Sequence, residues 1–163
     1  MDIGLYEILL YLHALCFVYW LGGDLGVFYA SGQLLKPGIS KDARTWIMKI
    51  FHWLDQFPRV CMPLVIALGF TMGSMQFFEL ATAWLVVIWA ITLIWIYFVL
   101  TLFLNTGSPE KIAWIRKVDM LMRWVIAITI TVIGVTSLMG TGLTEFNWLA
   151  AKMLIWAGTV YCG

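Results

Sequence analysis

Long apolar runs alternate along this chain with short polar stretches that carry nearly all of its charge. The first run covers residues 5–35, with Glu7, His13 and Asp24 as its only ionisable residues. As a helix it measures roughly 46 Å, more than the roughly 30 Å of a hydrocarbon core. It must tilt, or project into water beyond Asp24. Further runs at 57–77, 80–104 and 124–139 each predict a membrane-spanning helix. Residues 148–162 begin a fifth, which reaches only about 22 Å and stops inside an apolar stretch, as a short or incompletely covered helix would. Between the first two runs, residues 45–54 mix apolar and polar positions at helical spacing, the pattern of an interfacial helix. The expected fold is an all-α polytopic membrane protein. It is a single helical-bundle domain over residues 1–163, with four transmembrane helices plus a partial or short fifth.

Charge placement orients that bundle. Lys36, Lys41, Arg44, Lys49 and Arg59 lie between the first two spans, and Lys111, Arg116, Lys117 and Arg123 between the third and fourth. These are nine of the ten basic residues, and the positive-inside rule assigns their side to the cytoplasm, leaving the N-terminus outside. Trp46, Trp53, Trp84, Trp114, Trp124 and Trp148 fall near span ends, where tryptophan anchors at the interface. No Lys or Arg precedes the first run, so it reads as a permanent anchor rather than a cleaved signal peptide.

Composition agrees. The chain is 63% hydrophobic and 12% charged, with a mean hydropathy of +0.92. A soluble domain usually carries about 25% charge, so the lipid bilayer is the missing solvent. A net charge of +1 offers nucleic acid no basic face. Cys16, Cys61 and Cys162 are far apart without metal-ligand spacing, and read as small core residues rather than a disulfide framework. The pairs Gly22/Gly26 and Gly69/Gly73 permit close helix approach. Phosphate loops, nucleophile triads, His-Glu-x-x-His and CxxC are not found in the sequence.

A faint repeat precedes two of the spans: Asp55-x-x-x-Arg59 and Asp119-x-x-x-Arg123, with Gly69 and Gly134 ten and eleven residues beyond. Duplication of a helical hairpin explains it. So does the plain i,i+4 ion pair that favours a helix start.

His13 is the most informative residue. It lies about 13 Å along the first span from its outer end, at a depth where a polar ring is costly and usually functional. His13, Phe17, Trp20, Asp24, Phe28 and Ser31 share one helical face, expected to look inward. Two readings stay open: a metal or haem ligand or proton relay, and a histidine bonded to a neighbouring helix. Lys152 stands alone among the basic residues on the outer side. It either joins His13 in holding a carboxylate or propionate, or snorkels to the surface. Asp24 marks the inner boundary and has Arg59 as its expected partner, while His52 reads as interfacial. Met72, Met75 and Met139 end spans on the outer side, and their soft thioethers suit Cu(I) beside His13 as well as they suit apolar packing.

The stretch Leu12-His13-Ala14-Leu15, followed by Tyr19-Trp20-Leu21-Gly22-Gly23, resembles the opening of two related membrane families, the copper-resistance-D family and the HemJ type of protoporphyrinogen oxidase. The run Asn147-Trp148-Leu149-Ala150-Ala151-Lys152-Met153-Leu154 resembles their Trp-x-x-x-Lys-Leu helix start. The resemblance covers about 25 residues closely, and the region of His52 and Asp55 departs from both families. It implies a b-haem or porphyrin site, with His13 as axial ligand, Lys152 on a propionate, and Trp20 and Phe17 as walls. The copper-resistance likeness implies instead a route for copper past His13. The expected setting is a bacterial inner membrane, with quinone or another membrane protein as partner, or a second copy in a homo-oligomer. A non-catalytic subunit or assembly factor of a larger complex is the third reading.

Overall fold

The computed structural model describes residues 4–105 and 107–162, and among these the regular structure is entirely helical. In chain order the helices are α1 (Leu5–Leu34), α2 (Lys41–Leu54), α3 (Gln56–Gln76), α4 (Thr82–Leu104), α5 (Pro109–Leu138) and α6 (Asn147–Cys162). Four helical stretches are long and apolar enough to cross a membrane: α1, α2 with α3, α4, and α5. The sixteen-residue α6 is the short fifth segment.

Local chemistry sets the helix ends. The Ser40 hydroxyl accepts from the Ala43 N–H at 3.2 Å and starts α2 four residues ahead of the expected interfacial segment. Ser108 caps α5 in the same way through the Lys111 N–H, with Pro109 at the first helical position. As a result α5 takes in the basic residues 111–123 as well as the apolar run at 124–139. Asn105 closes α4 in the left-handed conformation at φ 50°. Only Asp55, still right-handed helical, separates α2 from α3. Pro58 explains the break: it has no N–H to donate to the Leu54 carbonyl.

The chain gathers into two compact units. Unit 1 holds the residues up to Met72 with Ala83–Val99, and unit 2 holds Gly73–Thr82 with the chain from Leu100 onward.

In unit 1, α3 is the most enclosed helix, burying Cys61, Met62, Pro63, Val65, Ala67, Leu68 and Met72. Between lipid-embedded helices there is little hydrophobic driving force, so close backbone approach and interhelical hydrogen bonds carry the association. Gly23 supplies the approach. A Cβ there would fall 2.5 Å from Pro58 Cδ and 3.3 Å from the Leu54 carbonyl oxygen. Gly22, which the sequence pattern paired with Gly26, has open space instead. Tyr19 stacks on Phe57 with ring centroids 5.7 Å apart. On α4, the Trp89 indole donates to the Thr71 hydroxyl at 3.0 Å, and that hydroxyl donates to the Ala67 carbonyl at 2.7 Å.

In unit 2, α5 and α6 pack as an antiparallel pair. A Cβ at Gly134 would fall 2.9 Å from Leu154 and 3.3 Å from the Ala150 carbonyl oxygen. The Thr131 and Tyr161 hydroxyls share a hydrogen bond at 2.9 Å, and Trp124 lies against the Tyr161 ring. The connection is tied down by Ser137, whose hydroxyl accepts from the Thr144 N–H at 3.4 Å. Phe77, Phe146 and Trp148 form a three-ring cluster with centroids 5.1 to 6.3 Å apart.

Candidate functional site

Most non-exposed positions of α1, namely Tyr6, Leu9, His13, Cys16, Trp20, Gly23, Val27, Ala30 and Leu34, alternate steps of three and four, and Gly26, Ser31 and Gln33 are shielded beside them near the helix end. That spacing is the seam of two packed helices. His13 and Trp20 belong to it, and Trp20 is 4% exposed. Phe17, Asp24 and Phe28 do not; Phe17 is 46% exposed and Phe28 79%. The expected inward face is therefore corrected. The expected face was centred on His13, whereas the buried stripe is centred further round the helix, on the side of Cys16 and Gly23, away from Phe17 and Phe28. His13 sits on the edge of the buried stripe, not at its centre.

What receives His13 is Gly69 of α3. A Cβ at Gly69 would lie 3.2 Å from the imidazole Cε1, so any larger residue would press on the ring. Nδ1 is enclosed by protein. Below the ring on the same seam follow the half-buried Cys16 and then Trp20, whose indole meets Phe17 edge-on at 6.4 Å. Cys16 is a free thiol, as is the buried Cys61 of α3. Sequence reasoning treated these cysteines as separate core residues.

The remaining candidates are elsewhere. Lys152 belongs to unit 2, where it is exposed and its ammonium lies 4.7 Å over the Trp148 ring. Met72 is buried in unit 1, whereas Met75 and Met139 belong to unit 2 and are exposed, Met139 at 73%. Arg59 is engaged by Asp55 at 2.6 Å and Arg123 by Asp119 at 3.1 Å, so the repeated motif forms i,i+4 ion pairs. Asp24 and His52 are both exposed, the latter on α2. The side chain of Cys162 lies outside the described residues.

Among the described residues, no group of three or more His, Cys, Asp or Glu is placed to hold a metal. A shallow cleft at the start of α5 is lined by Asn105, Gly107, Pro109, Ile112, Ala113 and Arg116, and includes none of the candidates. No known protein family, characterised protein or solved structure matches the chain.

Proposed function

We propose that this integral membrane protein is redox-active and holds a b-type haem or related tetrapyrrole through His13. One observation carries the reading. An ionisable ring occupies the apolar seam of α1 at a notch left bare by Gly69, where an aliphatic side chain would fill the space at less cost. The equivalent notch at Gly134 is filled by Leu154. Tested against such a group, the residues fit in part. His13 supplies an axial nitrogen, and Trp20 supplies a dry apolar wall. Phe17 turns outward and Lys152 is occupied with Trp148, so neither receives a role here.

A haem supplies a one-electron couple when bound. Gly69 seats the imidazole and its Nδ1 is enclosed by protein, and enclosure of this kind would tune the potential of an iron centre. A lipid-soluble quinone is the electron partner whose chemistry suits a site within the bilayer.

The test is an absorbance spectrum of haem-supplemented, detergent-purified protein, oxidised and dithionite-reduced, with His13→Ala alongside. A Soret band and a reduced α-band that vanish in the variant are expected. A featureless spectrum from folded wild-type protein overturns the reading. Copper passage would then be supported by Cu(I) binding that falls in both His13→Ala and Met72→Leu.

A further inference from the structure

We propose that α2 is an anionic-lipid-binding helix, whose stripe of Trp46, Ile50, Trp53 and Phe57 lies on the leaflet at the basic side of unit 1. These residues follow one another at steps of four and three along α2 and into the first turn of α3. All four are exposed, Trp46 at 64% and Trp53 at 63%. On the neighbouring flank Ile47, Phe51 and Leu54 are half-buried, and Leu54 meets Gly26 of α1. The helix thus has two apolar flanks, and α1 covers one of them.

Length decides where the open flank lies. Gly69 meets His13, Pro58 meets Gly23 and Leu54 meets Gly26, so the partner steps back along α3 and α2 as α1 advances. Asp55 keeps right-handed helical geometry, and its N–H donates to the Phe51 carbonyl at 3.0 Å. At this junction α2 therefore runs on beside α1 and does not turn away. Together α2 and α3 make 36 residues, roughly 54 Å of helix. With Gln76 at the far edge of the core and the helix upright, its Lys41 end would stand about 24 Å beyond a hydrocarbon layer of about 30 Å. A tilt of about 40°, the top of the range for spanning helices, reduces the depth to about 41 Å. That matches a bilayer counted with its headgroups, about 40 to 45 Å. Tilting toward the open flank lays the stripe at the boundary of headgroups and acyl chains.

Continuity and charge name lipid as the occupant. Phe57 belongs to a helix of spanning length and hydropathy, so the surface beside it is lipid, and Trp53, Ile50 and Trp46 carry that surface onward. Lys36, Lys41, Arg44 and Lys49 are exposed over residues 36–49, with Asp42 as the one acid among them. Lys49 holds its ammonium 4.8 Å over the Trp46 ring, at the border of the stripe, where a phosphate at the level of the indole can meet it. The other three cations draw the tip of the hairpin toward an anionic leaflet. The stripe excludes His13, so it stands apart from any tetrapyrrole site.

The experiment places the full chain in nanodiscs of phosphatidylcholine alone or of phosphatidylcholine mixed with phosphatidylglycerol. Hydroxyl-radical oxidation of Trp46 and Trp53 is then read by peptide mass spectrometry. Labelling should be on the order of tenfold lower in the anionic discs. Salt at about 1 M, where the screening length falls to about 3 Å, should raise it again. The combined variant Lys41→Glu, Arg44→Glu, Lys49→Glu, all at exposed positions, should label equally in both lipids; if it fails to fold, the wild-type comparison still decides. Equal labelling of the wild type in the two discs, whether high or low, overturns the proposal. So does labelling that is high in both discs and low only in native membranes, which would assign the stripe to a protein partner.

Discussion

Gly69 on α3 and Gly134 on α5 follow Arg59 and Arg123 by ten and eleven residues, and each leaves a notch that a facing helix fills. What fills them differs. Unit 2 uses Leu154, an aliphatic side chain pressed to 2.9 Å of a would-be Cβ. Unit 1 uses His13 at a looser 3.2 Å. The ion pairs upstream differ in the same sense. The Asp119 side chain is 8% exposed beneath Arg123, and that of Asp55 is 22% exposed beside Arg59. One packing device thus serves two ends. In unit 2 it is tight, dry and structural. In unit 1 it is slacker and holds a group that can bind or exchange protons.

Substitutions at matched positions test this contrast, and unfolding by SDS in mixed micelles, followed by far-ultraviolet circular dichroism, reads their cost. The largest effect is expected at Asp119→Ala, which removes a buried carboxylate and leaves a half-buried guanidinium without this partner, and should cost about 2 kcal/mol. Asp55→Ala, its counterpart in a wetter setting, should cost less than about 1 kcal/mol. Equal losses at the two positions would show that burial does not separate the pairs.

Next comes Gly134→Val, which drives a branched side chain into Leu154 and the Ala150 carbonyl and should cost about 2 kcal/mol. Gly69→Val meets only the edge of an imidazole, and about 1 kcal/mol is expected. Its sharper signature is spectroscopic. By pushing His13 aside it should weaken the Soret band without removing the ligand, and an unchanged spectrum would detach Gly69 from the site.

The smallest change in stability is expected for His13→Leu, which brings the unit 1 notch closer to its unit 2 counterpart at similar volume, within about 1 kcal/mol of wild type. Haem binding should nevertheless disappear. A large loss of stability there would mean that the imidazole is a structural hydrogen-bonding group, and the contrast between the notches would lose its functional meaning.

Element identity was legible because lipid makes it so: apolar runs of spanning length leave the backbone few alternatives to helix. The amphipathic α2 and the i,i+4 spacing of Asp55/Arg59 and Asp119/Arg123 were readable for the same local reason. What escaped was everything that depends on how one helix registers against another. Gly23, and not Gly22, meets Pro58 because only the three-four seam of α1 faces α3. Phe17 was misplaced because the face was centred on His13, which lies to one side of the seam, and the helix alone does not say where its neighbour packs. The meeting of His13 on α1 with Gly69 on α3 joins residues far apart in the chain, and no spacing rule in a single sequence reaches that far. His13 itself was legible, because an imidazole inside a spanning run stands out against its surroundings.

The cluster of Phe77, Phe146 and Trp148 bears on the order in which the chain is made. Phe77 follows α3, whereas its two partner rings come from the segment around the start of α6, about seventy positions later. A nascent chain inserting from its N-terminus has α1 and α3 in hand early. The surface of Phe77 meanwhile waits for rings that are still untranslated. Truncation before residue 146 should therefore spare the early helices and leave an aromatic face open at the turn between α3 and α4, a surface that insertion chaperones and membrane proteases are able to detect.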